Sequence, residues 1–325
     1  MQYDTDAVED AVLSVLDGSP VTETAARIGW SPERLGAAVE LYCTAGRAAL
    51  DVQPEPSEWL QVNIEFADYA TAGRAFRAYL LPSLLAATAG GVAAGWWFVC
   101  KYPCWRLRVT PREGVDVADM AKGITEALDA TLSWGVARRW WTVPYEPETY
   151  AFGGTDGMGM AHKLFHEDSV GILGYQEHTA AGPGGLLSDA KATSLLLLTL
   201  FLRAAGLEWS EQGDVWARVE AKRPMPEDVT ADQVTALSRN LRKLLMVDAS
   251  GLLEEGGQLV PISAWITGLE SAGRGLAEAS REGQLSTGVR GILARHVLFH
   301  WNRMGFTARQ QGIWARAARE AILGD

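Results

Sequence analysis

Cysteine is scarce in this chain of 325 residues, with only Cys43, Cys100 and Cys104 present. Three thiols cannot build a disulfide framework, and no second Cys or His pair completes a zinc set around Cys100-x-x-x-Cys104. Its neighbours read as strand, which makes both thiols core-lining. Positive charge is also short: 29 Lys plus Arg face 40 Asp plus Glu, a net charge of −11. Phosphate contacts need a basic surface, so the balance argues against a dedicated DNA binder, though not against a local basic site. Long apolar runs are missing too. The longest, Leu195–Leu202, falls far short of the ~20 residues of a membrane-spanning helix. The opening MQYDTDAVED is acidic and lacks the basic start and apolar centre of a signal peptide. The expectation is a cytoplasmic protein without a membrane partner.

What is present suffices for a large core. Apolar residues make up 48% and charged residues 21%, and the length suits one large domain or two. Thirteen tryptophans stand out, since aromatic-rich cores and concave peptide-binding surfaces both use them. Two prolines among acidic residues at 51–58 suggest a boundary, dividing a helical module at 1–56 from an α+β domain at 57–325. In the first, Val8, Val12, Val15 and Leu16 have helical spacing, Gly18-Ser19-Pro20 stops that helix, and Pro32 opens a later one. The layout resembles a helix-turn-helix. However, ten acids against three arginines at 1–56 favour a docking or dimerisation module over a DNA reader.

From Trp59 the period changes. Leu60, Val62, Ile64 and Phe66 alternate with Gln61, Asn63 and Glu65, a strand with one buried face. Further strands are expected at 96–102, 105–109 and 137–143, and helices at 70–89 and 116–134. The C-terminal half reads as helices at 157–173, 188–205, 229–247, 261–280 and 286–323. Strands early and helices late indicate α+β, with helices covering one face of a mostly antiparallel sheet.

Three stretches could carry chemistry. In Trp105–Val109, period two puts Arg106 and Arg108 on one face, about 6.6 Å apart at ~3.3 Å per residue. Two guanidinium forks at that spacing can clamp a carboxylate, although a solvated sheet face is equally compatible. The second stretch, 145–169, has Glu146 and Glu148 flanking a proline, then Gly153-Gly154 before a helix, a candidate oxyanion site. His162 and His166 have metal-pair spacing, but Lys163 stands where HExxH needs glutamate, so no metal is expected. The third stretch is arginine-rich: residues 286–325 hold six arginines and two acids. His296, His300 and Arg303 share one helical face there, either as a proton-moving site or as a salt-bridged structural face.

Taken in order, these stretches resemble the C-terminal elimination domains of class I lanthipeptide dehydratases, also found as standalone thiopeptide-type bacteriocin biosynthesis proteins. The matching residues are Trp59–Phe66, Trp97-Phe98, Trp105-Arg106-Leu107-Arg108, Tyr145-Glu146-Pro147-Glu148, Phe152-Gly153-Gly154, Ala161-His162 with Leu164-Phe165, Asp168-Ser169 and His300-Trp301-Asn302-Arg303. The resemblance spans about residues 59–320 and leaves the first 50 outside. It implies removal of glutamate from glutamylated Ser or Thr of a precursor peptide, giving dehydroalanine or dehydrobutyrine. A glutamyl-tRNA-dependent dehydratase is the implied partner, the precursor's leader and core are the substrate, and a homodimer is left open. Lys101 stands where such domains often carry the arginine of Ile-Arg-Tyr, and Ala151 where they often carry that of Arg-Tyr-Gly-Gly. The alternatives are therefore a formal [4+2] reaction of two dehydroalanines, as in standalone thiopeptide relatives, and a non-catalytic leader-binding partner. His300 is the implied proton carrier, with His162 as runner-up and Arg106 and Arg108 steadying charge. Lys101, Glu148, Gly153, Gly154, Asn302 and Arg303 are implied to bind substrate. Neither reaction needs a metal or organic cofactor.

Overall fold

The computed structural model of the chain describes residues 5–51, 59–182 and 185–324, so the expected break at 51–58 lies almost wholly outside them. The chain divides into two compact units, Met1–Ser57 and Glu58–Asp325. The first has helices α1 (Thr5–Leu16), α2 (Val21–Arg27) and α3 (Pro32–Asp51). Its small core is Ala11, Val12, Ala25 and Leu35, flanked by Val15, Ile28 and Trp30. Gly18 and Gly29 take left-handed φ values of 102° and 69° at the two turns, where a side chain would be strained.

The second unit is built on strands β1 (Leu60–Phe66), β2 (Ala93–Lys101), β3 (Cys104–Pro111) and β4 (Ala137–Thr142), ordered β2-β3-β1-β4 and antiparallel throughout. The register places Trp97, Arg108 and Gln61 in one cross-strand row and Val99, Arg106 and Asn63 in the next. One face is therefore polar and cationic. The other carries Phe98, Trp105, Leu107, Val62 and Ile64, all buried.

Helices cover both faces, more than the single covered face expected. The reason lies in β2, where Trp96, Trp97, Phe98 and Val99 are consecutive and all buried. A run with no polar alternation has to be covered on both sides. Helices α4 (Ala72–Ala75), α5 (Leu81–Ala89) and α6 (Val117–Ser133) lie on the apolar side, where Phe76 packs on Phe98 and Trp105. A π-turn over Phe76–Leu80 interrupts the helix expected at 70–89. On the polar side, Phe165 of α7 (Gly154–Ala180) and Phe299 of α12 (Val289–Arg303) close on Trp97. Helix α7 also closes the free edge of β2: His166 donates from Nδ1 to the Trp96 carbonyl (2.8 Å), and Phe98 N–H donates to Ser169 Oγ (3.3 Å).

The remaining helices are α8 (Ala190–Ala204), α9 (Trp209–Lys222), α10 (Ala231–Leu245), α11 (Ser263–Arg281) and α13 (Ala308–Leu323). Helix α9 was not expected from the pattern. The helix expected at 286–323 is two, because Gly305 turns the chain at φ 77° and Thr307 caps α13 through a capping box with Gln310. No described helix is long and apolar enough to cross a membrane.

Helix α7 starts at two left-handed glycines, Gly153 and Gly154, and its third glycine, Gly157, has no room for a side chain. A Cβ there would stand 1.9 Å from the Phe152 carbonyl oxygen, whereas one at Gly159 meets nothing within 4 Å. Gly157→Ala is expected to cost about 1–3 kcal/mol by overpacking, and Gly159→Ala to be neutral or slightly stabilising. Urea unfolding of the two variants measures the contrast.

Candidate functional site

A cavity of about 510 Å³ opens on the polar face of the sheet. Strands supply Gln61, Val99, Lys101, Arg106 and Arg108; the segment after β4 supplies Pro144, Glu146 and Glu148. The end of α9 contributes Lys222 and the following Arg223, and α12 contributes Arg295, Leu298, Phe299 and Asn302. Six cationic side chains thus meet two acids in a protein whose overall charge is −11. Only one ion pair joins wall residues among those described, Arg295 to Glu148 at 3.3 Å. The field inside is positive, and it suits a carboxylate, a phosphate or a developing oxyanion.

Arg108 is the most constrained of these cations. Its guanidinium lies over the rings of Trp97 (4.2 Å) and Tyr145 (4.8 Å), and Nε donates to Gln61 Oε1. Nη1 is buried without a partner. Burial, and secondarily Arg106, lowers its pKa to about 10, which leaves it cationic at neutral pH. Lys101 is also lowered, first by burial and then by Arg106. A buried cation with an unanswered N–H₂ is prepared for an anion, since leaving such a donor unpaired costs about 1–3 kcal/mol.

Behind Arg108, Tyr145 O–H and His162 Nε2 are 2.8 Å apart, and Trp59 packs on the imidazole at 4.4 Å. Burial, then the charge of Arg108, pushes His162 down to about 4, so it is neutral at physiological pH. Neither it nor Tyr145 lines the cavity. Of the pair with metal-site spacing, His162 Nε2 meets Tyr145 O–H and His166 Nδ1 meets the Trp96 carbonyl.

The His296–His300–Arg303 stripe is real but faces inward. On α12, Arg295, Leu298, Phe299 and Asn302 line the cavity, while the stripe occupies the opposite side, each member at most 2% exposed. There Asp168 of α7 collects four contacts. His300 donates from Nδ1 to Oδ1 (2.9 Å) and Oδ2 (3.1 Å), Trp265 Nε1 donates to Oδ1 (3.0 Å), and Arg303 Nε donates to Oδ2 (2.7 Å). His300 Nε2 lies 2.8 Å from Ser194 Oγ, which accepts from Trp301 Nε1 at 3.1 Å. Ser194, His300 and Asp168 have the connectivity of a hydrolase triad. Yet Ser194 is fully buried and lines none of the cavities described, so nothing can reach its hydroxyl. Burial alone would raise the Asp168 carboxyl; the neighbouring His300 and Arg303 outweigh it and hold it well below the usual carboxylate range.

The cavity therefore gathers Lys101, Arg106, Arg108, Glu148 and Asn302 of the sequence-expected residues, and not His300, His162, Arg303, Gly153 or Gly154. The glycine pair packs against α12 and the segment before it: Ser286 N–H donates to the Gly153 carbonyl (2.9 Å), and a Cβ at Gly153 would meet Ile292 Cδ1 at 2.6 Å. Lys222, Arg223 and Arg295 were missed. For Arg295 a signal existed, because it shares helical spacing with Leu298, Phe299 and Asn302.

A family model described as lantibiotic biosynthesis dehydratase C-term matches residues 59–322. Among curated proteins none matches the sequence. The fold is similar to that of the tRNA-dependent lantibiotic dehydratase MibB from Microbispora sp. 107891 (TM-score 0.61, 18% identity), covering 84% of this chain and 29% of that one. It is also similar to TsrL (TM-score 0.53, 16% identity; 80% of this chain, 93% of that one). A third neighbour is the pyridine synthase TbtD from thiomuracin biosynthesis (TM-score 0.52, 14% identity; 81% and 97%). The chain thus spans under a third of MibB and nearly all of the other two.

His296 gives this layer a pH signature. Both its nitrogens are buried without a partner, and burial, then Arg303, pushes its pKa down to about 3 against the opposing pull of Asp168. Below about pH 6.5 the unfolded chain takes up a proton that the folded chain refuses, so stability falls as pH falls, by up to about 1.4 kcal/mol per unit until about 3. His296→Leu is expected to flatten that slope between pH 4 and 6.5, a window above the titration of Asp168, as read by denaturant midpoints at each pH.

Proposed function

Because the chain belongs to the lantibiotic biosynthesis dehydratase C-terminal family, we propose that it tailors a ribosomally made precursor peptide by eliminating glutamate from glutamylated Ser or Thr. The observation that carries this reading is the cationic cavity, with six positive side chains against two acids. Its substrate would be the precursor peptide, handed on by a glutamyl-tRNA-dependent dehydratase. In the reaction a base takes the α-proton, the Cα=Cβ bond forms as the Cβ–O bond breaks, and glutamate leaves as a carboxylate. Negative charge grows first toward the peptide carbonyl and then on the leaving group. Arg106 and Arg108, on adjacent positions of one strand face, suit both sites of charge, and Arg223 and Arg295 lie across the cavity from them.

Proton removal is given to Lys101, the exposed amine on the cavity wall, where partial desolvation and then Arg106 and Arg108 disfavour the ammonium form. Neutral His162 stands one layer back, joined to the site through Tyr145 and Arg108. His300 has a holding role in this reading, since it is buried against Asp168 and Ser194. A second reading, [4+2] joining of two dehydroalanines, is favoured by Ala151 and by the uncharged stretch of wall at Val99, Pro144, Leu298 and Phe299.

Mass spectrometry of a glutamylated precursor incubated with the protein tests the first reading, and a bis-dehydroalanine peptide the second. Arg106→Ala and Arg108→Ala are each expected to lower turnover by ~10²-fold with the fold intact. Lys101→Arg retains charge without a readily removed proton and should stall elimination. His300→Ala, assayed at a temperature where it stays folded, should remain within about threefold of the parent, a barrier change under ~0.7 kcal/mol. Full turnover by both arginine variants takes the clamp out of the chemistry, and conversion of neither peptide by the parent protein sinks the catalytic reading and leaves a leader-binding partner.

A further inference from the structure

A second cavity, of about 820 Å³, lies apart from the first, toward the apolar face of the sheet. Its wall includes Cys100 and Trp105, whose neighbours in sequence, Lys101 and Arg106, line the first cavity from the other face. Alternation along the strands thus gives one sheet a cavity on each side. Three arginines line the second, Arg74, Arg77 and Arg303, together with the hydroxyls and amide of Thr71, Thr179 and Gln176, and no acidic side chain is among its lining residues.

The three cations are graded by depth. Arg74 is exposed, Arg77 half-buried and Arg303 only 1% exposed. Arg77 donates from Nη1 to Gln176 Oε1 (2.6 Å), which holds its fork against the wall. Arg303 spends Nε on Asp168 Oδ2, and its Nη1 is buried with no hydrogen-bond partner. Asp168 is shared with His300 and Trp265, so its charge is spread over three donors. A guanidinium donor left unanswered in the interior is costly, and a nearby anion offsets that cost.

We propose that this second cavity binds an oxyanion, a carboxylate or phosphate group, drawn to Arg303 at its floor and clamped by Arg77 and Arg74 toward its mouth, with Trp105 and Met304 taking the apolar part of the ligand. The inference is independent of the reaction assigned to the first cavity. The site also touches the helix shared by both cavities, because Arg303 ends α12, whose Arg295, Leu298 and Asn302 line the first.

Thermal unfolding of the full chain tests it with two probes, inorganic phosphate and L-glutamate, each against sodium chloride at equal ionic strength. A saturable rise in Tm beyond that of chloride is expected with at least one probe. Phosphate alone would mark a phosphorylated ligand and glutamate alone a carboxylate. Because the first cavity suits the same anions, the shift is read in an Arg106→Gln background, where Arg77→Gln, and independently the exposed Arg74→Gln, should weaken the apparent Kd by tenfold or more. Arg303 itself is avoided because its loss would strand Asp168. A rise matched by chloride, no rise with either probe, or a rise lost in Arg106→Gln but kept in Arg77→Gln would overturn the proposal.

Discussion

The buried carboxylate of Asp168 is the interaction on which the rest of the second unit depends. It ties α7 to α11 through Trp265 and to α12 through His300 and Arg303, and His300 passes the link to Ser194 on α8. A lone carboxylate in such a place would cost several kcal/mol. Here both oxygens are answered by donors of positive or partly positive character, so the charge becomes a register mark. Helix α12 can rotate only by leaving that carboxylate. Its fixed rotation is what turns Arg295, Leu298, Phe299 and Asn302 toward the sheet and sets the far wall of the cationic cavity.

Most of the fold was legible in the sequence because its signals are local. Period-two alternation located β1 and β3, and the opposite faces of Arg106/Arg108 and Trp105/Leu107/Val109 follow from the pleat alone. Helix α9 escaped because its apolar positions, Val215, Trp216 and Val219, are few and separated by charge. The one-face expectation failed where the pattern stops alternating, at Trp96–Val99.

The site was legible by half. Strand residues were found because a strand reveals its faces in a few residues. The helix misled, since His296, His300 and Arg303 form as good a stripe as Arg295, Leu298 and Asn302. Nothing local tells which stripe lines the cationic cavity and which turns to Asp168. That choice is made by Asp168, more than 120 residues away in sequence. The run His300-Trp301-Asn302-Arg303 holds both stripes at once: Asn302 belongs to the wall of the cationic cavity and His300 to the core.

The sheet's two borders bear on how a peptide can approach. At β2, His166 and Ser169 already occupy the outward carbonyl and amide of Trp96 and Phe98, so that border offers no free ladder for an incoming chain. At β4, exposed Arg138 and Arg139 turn to Glu65 and place charge along the other border. An extended segment adding to either border would have to displace the first pair of contacts or settle beside the second pair of charges. For the peptide substrate proposed above, recognition would then fall on side chains and on the charges that a modified residue carries, a mode that reads chemical decoration on the guest rather than the run of its main chain.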